Sequence, residues 1–355
     1  LTEVGPLSEV EVVPRRSEHH EEMFRLYEEV FGPDATAQSR RRWDWQYVQN
    51  PEAAASGPVL WMAREGETLL GQMGTMRVRL RFGGREVRAS WGNDYFVRKG
   101  QTGRGLGMLI CDAWSDHEDA ALALGLTPSS YPLFKKVGFV DVGPVPFYQK
   151  VMDARAVARR RLGPLGVVAW PGLALYLRAR HGAPPPPPGD VTVGEVDAFG
   201  EEYDRLWEKA GPSYTMCVRR DAAYLTWKYL RIPHRRYQVR AARRGGELVG
   251  FAVSREDDHR GLRLGWLVDL FCDTRDEAAK DALLHEVLRA FRARGVARAQ
   301  AYSMNAPLAA ALRRFGFFPG FSAVQFCVKA GLEARAAFAD TGNWNLMFGD
   351  GDLDR

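Results

Sequence analysis

At 355 residues, with 46% hydrophobic and 26% charged residues, the chain has the composition of a folded protein and more length than one ordinary core accommodates. Its formal net charge of +5 is only modestly basic, carried by short clusters such as Arg40-Arg41-Arg42 and Arg159-Arg160-Arg161, so an acidic partner suits it and no nucleic-acid partner is expected. Cys111, Cys217, Cys272 and Cys327 show no metal or redox spacing, which predicts a reduced, cytoplasmic setting. The histidines form no His-x-x-x-His pair, so no metal is expected. With no charged-then-apolar leader and no unbroken apolar run of about 18 residues, no transmembrane segment is expected.

In chain order, a strand is predicted near Val10–Val13 and a helix over Glu18–Val30, with Met23, Leu26, Tyr27 and Val30 on one stripe. Strands follow at Val59–Arg64, Leu69–Arg81 and Arg85–Val97. The last runs through Asp94 into a loop with Gly103, Gly105 and Gly107, then directly into the apolar run Met108, Leu109, Ile110, Ala113 and Trp114, read as a helix to about Leu124. A strand, a glycine loop and a helix start in that order build an anion site, because the first helical amides are unpaired and carry partial positive charge. The spacing is not that of a Walker loop, since no Lys-Ser or Lys-Thr follows the last glycine, and it lacks the full dinucleotide fingerprint. A short strand, a helix ending at Lys136 and a strand near Val145–Val151 complete the first half.

Residues 153–190 read as a linker. It holds an apolar stretch from Leu162 to Leu177, interrupted by Gly163, Pro164, Gly166, Pro171 and Gly172, and ends in the polyproline run Pro184–Pro188. The bland reading is a segment packed along a domain surface; the sharper one is an interfacial or acyl-chain contact flanked by arginines.

Beyond the linker the chain repeats itself. Trp45-Gln46-Tyr47 and Pro51 return as Trp227-Lys228-Tyr229 and Pro233, Gly66–Gly71 as Gly245–Gly250, Trp91 and Asp94 as Trp266 and Asp269, and Val137-Gly138-Phe139 as Phe315-Gly316-Phe317. Four landmarks in one order, offset by roughly 175 to 182 positions, predict two similar domains, 1–152 and 191–355. The second copy has no glycines in the stretch Leu270–Lys280 that follows Asp269, and Asp273, Asp276 and Glu277 stand where an anion would bind. Its tail combines Trp344 and Phe348 with clustered acids, read as an exposed acidic tail or a substrate-facing flap.

The segment Val97–Gly107 resembles motif A of the GCN5-related N-acetyltransferases, Gln/Arg-x-x-Gly-x-Gly/Ala, with Thr102, Gly105 and Gly107 on its first, fourth and sixth positions. Thr102 departs from the usual Gln or Arg. Leu133–Phe139 resembles the Leu-Tyr-x-Lys-x-Gly-Phe close of motif B, with Phe134 in place of the Tyr. The resemblance implies an α/β fold in which each of two tandem domains is a mixed, mostly antiparallel twisted sheet flanked by helices. It implies acetyl-CoA or another acyl-CoA as co-substrate, its pantetheine pairing with the strand around Phe96 and Val97. Its pyrophosphate would rest on Gly103, Arg104, Gly105, Leu106 and Gly107, with Arg104 adding charge at the rim and Thr102 and Phe134 completing the cofactor contacts. An amine-bearing small molecule or peptide would attack the thioester, with Asp94 as base and Tyr131, one turn before Phe134, as acid. Three rivals share the fold: a transferase using an acyl carrier protein as donor, a thioester decarboxylase, and a non-catalytic acyl-CoA sensor. The second copy reads as structural or substrate-shaping.

Overall fold

The computed structural model describes residues 9–53, 59–181, 184–331 and 334–354. The outermost positions of the expected domains, and linker positions 182 and 183, lie outside them. The described chain forms two compact units. One contains the residues up to Gly143 with Arg231–Arg235 and Val324–Thr341; the other contains Pro144–Leu230, Arg236–Ala323 and the residues from Gly342 on.

In chain order the first unit holds β1 (Val10–Pro14), α1 (His20–Phe31), α2 (Pro33–Trp43), β2 (Leu60–Glu65), β3 (Thr68–Phe82), β4 (Arg85–Val97), α3 (Leu106–Ser115), β5 (Ala120–Leu124), α4 (Tyr131–Lys136) and β6 (Val140–Pro144). The second holds β7 (Phe147–Val151), α5 (Ala154–Leu162), α6 (Gly166–His181), β8 (Thr192–Val196), α7 (Glu201–Ala210), β9 (Met216–Val218), α8 (Ala222–Leu225), β10 (Gln238–Arg244), β11 (Glu247–His259), β12 (Leu262–Cys272), α9 (Glu277–Ala293), β13 (Arg298–Tyr302), α10 (Ala306–Arg314) and β14 (Phe318–Gly320). Then β15 (Gln325–Ala330) and α11 (Arg335–Ala339) belong to the first unit again, and β16 (Trp344–Asn345) pairs with β9 in the second.

The two sheets have the same plan. The first runs β1-β2-β3-β4-β5-β15-β6 and the second β8-β10-β11-β12-β13-β7-β14. The central pairs, β4 with β5 and β12 with β13, are parallel, while β2-β3-β4 and β10-β11-β12 are antiparallel. Helices cover the first sheet on both faces. Met23, Phe24, Leu26 and Tyr27 of α1 pack with Tyr47 and Phe96 on one side, and Ile110, Cys111 and Trp114 of α3 pack with Phe134 and Phe139 on the other. This is the mixed α/β architecture expected, with two sheets flanked by helices.

Three expectations need correction. The stretch read as a helix to Leu124 is helical only to Ser115, and Ala120–Leu124 is strand β5, buried throughout. Ala-Ala-Leu-Ala-Leu has a helical propensity, but sheet burial overrides it. The strand near Val145–Val151 does not close the first sheet. It pairs with β13 and β14 in the second, in register Gln300↔Gln149 and Phe318↔Gln149. In exchange β15, from the far end of the chain, closes the first sheet against β5, in register Cys327↔Ala123. The contiguous division at residue 152 therefore does not describe how the strands are allotted. Finally, residues 153–190 are not simply an extended linker. Counted as one stretch, Ala154–Arg180 has the length and composition of a membrane span, but no crossing follows from length and composition alone. It is broken at Gly163, which has φ 58°, into α5 and α6.

Phe326 of β15 is fully buried and lies 5.9 Å from the Trp91 ring of β4. Replacing it by Ala should cost about 3–5 kcal/mol of the first unit's stability. The check is limited proteolysis in urea, with new cleavage appearing first within residues 9–143 although the substitution lies near position 326.

Candidate functional site

Strand β4 has two working faces. Tyr95 and Val97 face α3 and α4, whereas Phe96 packs with α1 on the other side, where Tyr47 also lies. Between them, at Asp94, the backbone takes φ 45°, a left-handed conformation uncommon outside glycine but tolerated by Asp, at a cost of order 1–3 kcal/mol. The β3–β4 register shifts opposite it, between Gln72 and Gly74. This bulge delivers the Asp94 carboxylate to Tyr47, whose hydroxyl donates to Oδ2 at 2.6 Å, with the Gln46 amide at 3.4 Å. Gln46 and Tyr47 sit on a widened π turn, Asp44–Val48, directly after α2.

Just past the bulge, β4 parts from β5. The two strands pair only over Ala89–Gly92 with Ala120–Ala123, so β4 from Asn93 to Val97 has no strand partner on that side among the described residues. Beside this splay lies a cleft of about 420 Å³ lined by Tyr95, Val97, Gln101–Gly103, Gly105–Met108, Ser129, Pro132, Leu133 and Lys136. Its head is the start of α3. Gly105 caps that helix in the left-handed region, φ 88°, without a side-chain hydrogen bond, and the first turn carries no acid. The amides of Gly103, Gly105, Leu106 and Gly107 have no protein acceptor among the described residues.

The glycines serve two purposes. Gly103 and Gly105 supply φ values of 88° that other residues adopt only with strain. Gly107 makes room, because a Cβ there would lie 2.0 Å from the Tyr95 hydroxyl and 2.8 Å from Leu133. That hydroxyl shares a hydrogen bond with the Cys111 thiol. Burial raises both groups, the thiol to about 12, so the floor of the cleft is uncharged.

Of the expected site residues, Val97, Thr102, Gly103, Gly105, Leu106 and Gly107 line this cleft. Asp94 and Phe96 stand on the other face of β4. Arg104 does not sit at the rim as a free charge: its side chain is 4% exposed and is bonded to Glu65 at 2.7 Å and Gln101 at 2.6 Å. Phe134 is core, edge-on to Phe139 at 4.9 Å and Tyr95 at 5.9 Å, and does not line the cleft. Tyr131 is also outside the lining residues. Its hydroxyl donates to Asp141, which pushes the phenol up to about 12. Sequence reading missed Tyr47, Gln46, Tyr95 and Lys136. The repeat did hold a signal for Tyr47, because its Trp-x-Tyr and the Asp of β4 recur together.

In the second unit each of these features is closed. Tyr229, on the matching turn Thr226–Leu230, donates to Asp269 at 2.9 Å, but Asp269 is fully buried and paired with Arg220 at 3.0 Å. Arg220 also holds Asp350 of the tail at 2.9 Å. The start of α9 is capped by Asp276, which accepts from the Ala279 amide and pairs with Arg244 at 2.8 and 2.9 Å. That guanidinium holds the carboxyl below the usual range. The splay is filled too. β12 and β13 pair only up to Leu267 and Ala301, and beyond them the tail bonds both sides, Gly349 N to Val268 O at 2.9 Å and Met304 N to Leu346 O at 3.0 Å. The tail expected to be exposed is buried from Trp344 to Gly351, because its aromatic and aliphatic side chains fill this gap.

Residues 11–140 match the family described as acetyltransferase (GNAT) domain. This match identifies a GNAT domain within residues 11–140. Among curated proteins none matches in sequence. Solved structures with a similar fold include a GCN5-related N-acetyltransferase from Anabaena variabilis (9% identity, TM-score 0.62, covering 93% of this chain and 75% of that one). Eis1 from Mycobacterium abscessus matches at 14% identity and TM-score 0.57, covering 93% and 76%. The N-myristoyltransferase of Saccharomyces cerevisiae with bound myristoyl-CoA matches at 13% and 0.55, covering 92% and 83%. GNAT chemistry is acyl transfer, and the cleft and splay of the first unit lie within the matched residues.

Three substitutions separate the units, two in the first and one in the second. Gly107→Ala should weaken acyl-CoA binding about tenfold or more, and adding Tyr95→Phe should restore part of it by removing the nearer of the two clashes, the hydroxyl at 2.0 Å, as read by titration calorimetry. Asp269→Asn should leave acyl transfer unchanged while costing about 3–5 kcal/mol of stability in denaturant titration, because buried Arg220 loses a charge partner.

Proposed function

We propose that the chain moves an acetyl or longer acyl group from a coenzyme A thioester to a primary amine of a small molecule or peptide, in the cytoplasm. The observation that carries this reading is the contrast between the two helix starts. The start of α3 offers free amides to an open cleft, whereas the start of α9 is capped by its own carboxylate and lies in a unit whose splay is occupied.

In this reading the pyrophosphate rests on the amides of Gly103, Gly105, Leu106 and Gly107, with Lys136 as the cation of the cleft. The pantetheine pairs with β4 near Phe96 and Val97, where the strand has no partner on one side. The amine approaches from the Asp94 face. Its nitrogen attacks the thioester carbonyl carbon, forming the C–N bond; the C–S bond then breaks and the thiolate leaves. Asp94, directly or through one water, takes the proton that the nitrogen loses, and Tyr47 holds the carboxylate in place. Solvent protonates the thiolate, since Phe134 is buried and Tyr131 is committed to Asp141. Holding both reactants across one strand supplies the proximity that a one-step transfer needs.

The test is thiol release from a panel of acyl-CoAs with and without amines. Release that requires an amine supports the transferase. Carbon dioxide without amine points to the decarboxylase, binding without release to a sensor, and turnover of an acyl carrier protein in place of acyl-CoA to the carrier-dependent variant. Asp94→Asn should lower kcat by about 10²–10⁴-fold with donor affinity unchanged, the usual contribution of a general base. Tyr47→Phe should lower it by about tenfold, through misplacement of Asp94. An unchanged rate in Asp94→Asn removes the base assignment.

A further inference from the structure

We propose that α5 and α6 dock the protein onto an anionic phospholipid surface. A helix on the outside of a folded unit normally turns a polar face to water. Helix α6 does not. Trp170, Leu173, Ala174 and Leu177, spaced three and four apart, form a half-buried inner face, and Trp170 and Ala174 border a hollow with Met152 and Val296 of the same unit. The opposite side is also apolar: Val168 is 82% exposed, Leu175 70% and Tyr176 55%, and Leu165 in the turn before it is 73% exposed. From Leu162 to Leu177 there is no charged side chain, and the only polar side-chain groups are the Trp170 indole N–H and the Tyr176 hydroxyl. An exposed apolar surface of this extent marks a binding face.

The charges at its ends say what covers it. Arg155, Arg159, Arg160 and Arg161 lie on α5, and Arg178 and Arg180 on the last turn of α6. From Ala154 to Gly189 the chain has no Asp or Glu, and none of these six arginines pairs with a carboxylate among the described residues. Apolar side chains between uncompensated guanidinium groups complement a bilayer interface, with acyl chains beneath and phosphates above. The same surface does not suit an apolar protein groove, where the arginines would be desolvated unpaired.

Length favours lying on the membrane over crossing it. Gly163 turns the chain, and a Cβ on Gly166 would meet the backbone of Ala158 at 2.3 Å, so α6 packs back against α5. Its 16 residues span about 24 Å, short of a hydrocarbon core of about 30 Å.

The proposal is independent of the transfer chemistry, and its test needs no substrate. The full chain is floated with vesicles of phosphatidylcholine alone or mixed 1:1 with phosphatidylglycerol. Binding to the mixed vesicles at least tenfold above phosphatidylcholine, weakening from 50 to 500 mM NaCl, is expected. Val168→Glu with Leu175→Glu should reduce it at least tenfold with circular dichroism unchanged; if that pair disturbs folding, Val168→Gln with Leu175→Gln takes its place. Arg159→Gln with Arg161→Gln and Arg178→Gln should reduce both binding and its salt dependence. The proposal is overturned by absence of binding to mixed vesicles, by binding that all these variants retain within twofold, or by a dimer in solution that the Glu pair converts to monomers, which would make a second copy the cover.

Discussion

Each sheet contains two parallel strands that run side by side for four residues and then diverge. Buried main-chain groups in such a gap must find partners, since leaving them unpaired costs as much as a lost hydrogen bond. The second unit meets this demand with its own chain: Leu346, Met347 and Gly349 reach both walls, and Asp350 closes the network around Arg220. The first unit leaves the corresponding stretch of β4 without a strand partner beside an open cleft. One fold thus appears twice, once with its gap filled from within and once with the gap available.

The same asymmetry governs the electrostatics. A helix start with no capping side chain presents partial positive charge to whatever lies in front of it. At α9, Asp276 answers that charge, and Arg244 in turn secures Asp276. At α3 a glycine in the left-handed region replaces the cap. The difference of a carboxylate against a hydrogen atom separates a structural joint from a helix start with open amides. Asp94 and Asp269 diverge in the same manner. Both accept from a tyrosine on a π turn, and Asp269 is fully buried with the Arg220 guanidinium at 3.0 Å.

Much of this was legible from residue types. The glycine loop marked the cleft, the alternating apolar runs placed β1 to β4, and the repeated Trp, Asp and Gly-Phe landmarks revealed two sheets of one plan. What could not be read were partners. Hydrophobic periodicity identifies Phe147–Val151 and Gln325–Ala330 as strands without saying which sheet edge each completes. Arg104 looked like a rim charge because its neighbours are glycines, while Glu65, 39 positions earlier, draws it inward. The acids of the tail suggested exposure, and the fold instead uses two of them, Asp350 and Asp354, to satisfy buried arginines.

Exchanging β7 and β15 has a consequence for how the molecule is made. A ribosome releases β5 long before β15, with roughly 200 residues between them, on the order of ten to forty seconds at ordinary elongation rates. For that interval the first sheet exposes an apolar edge of Ala and Leu that nothing downstream can yet seal. The first sheet is therefore completed only near the end of synthesis, and a chain cut between the two halves would leave each sheet with an open seam.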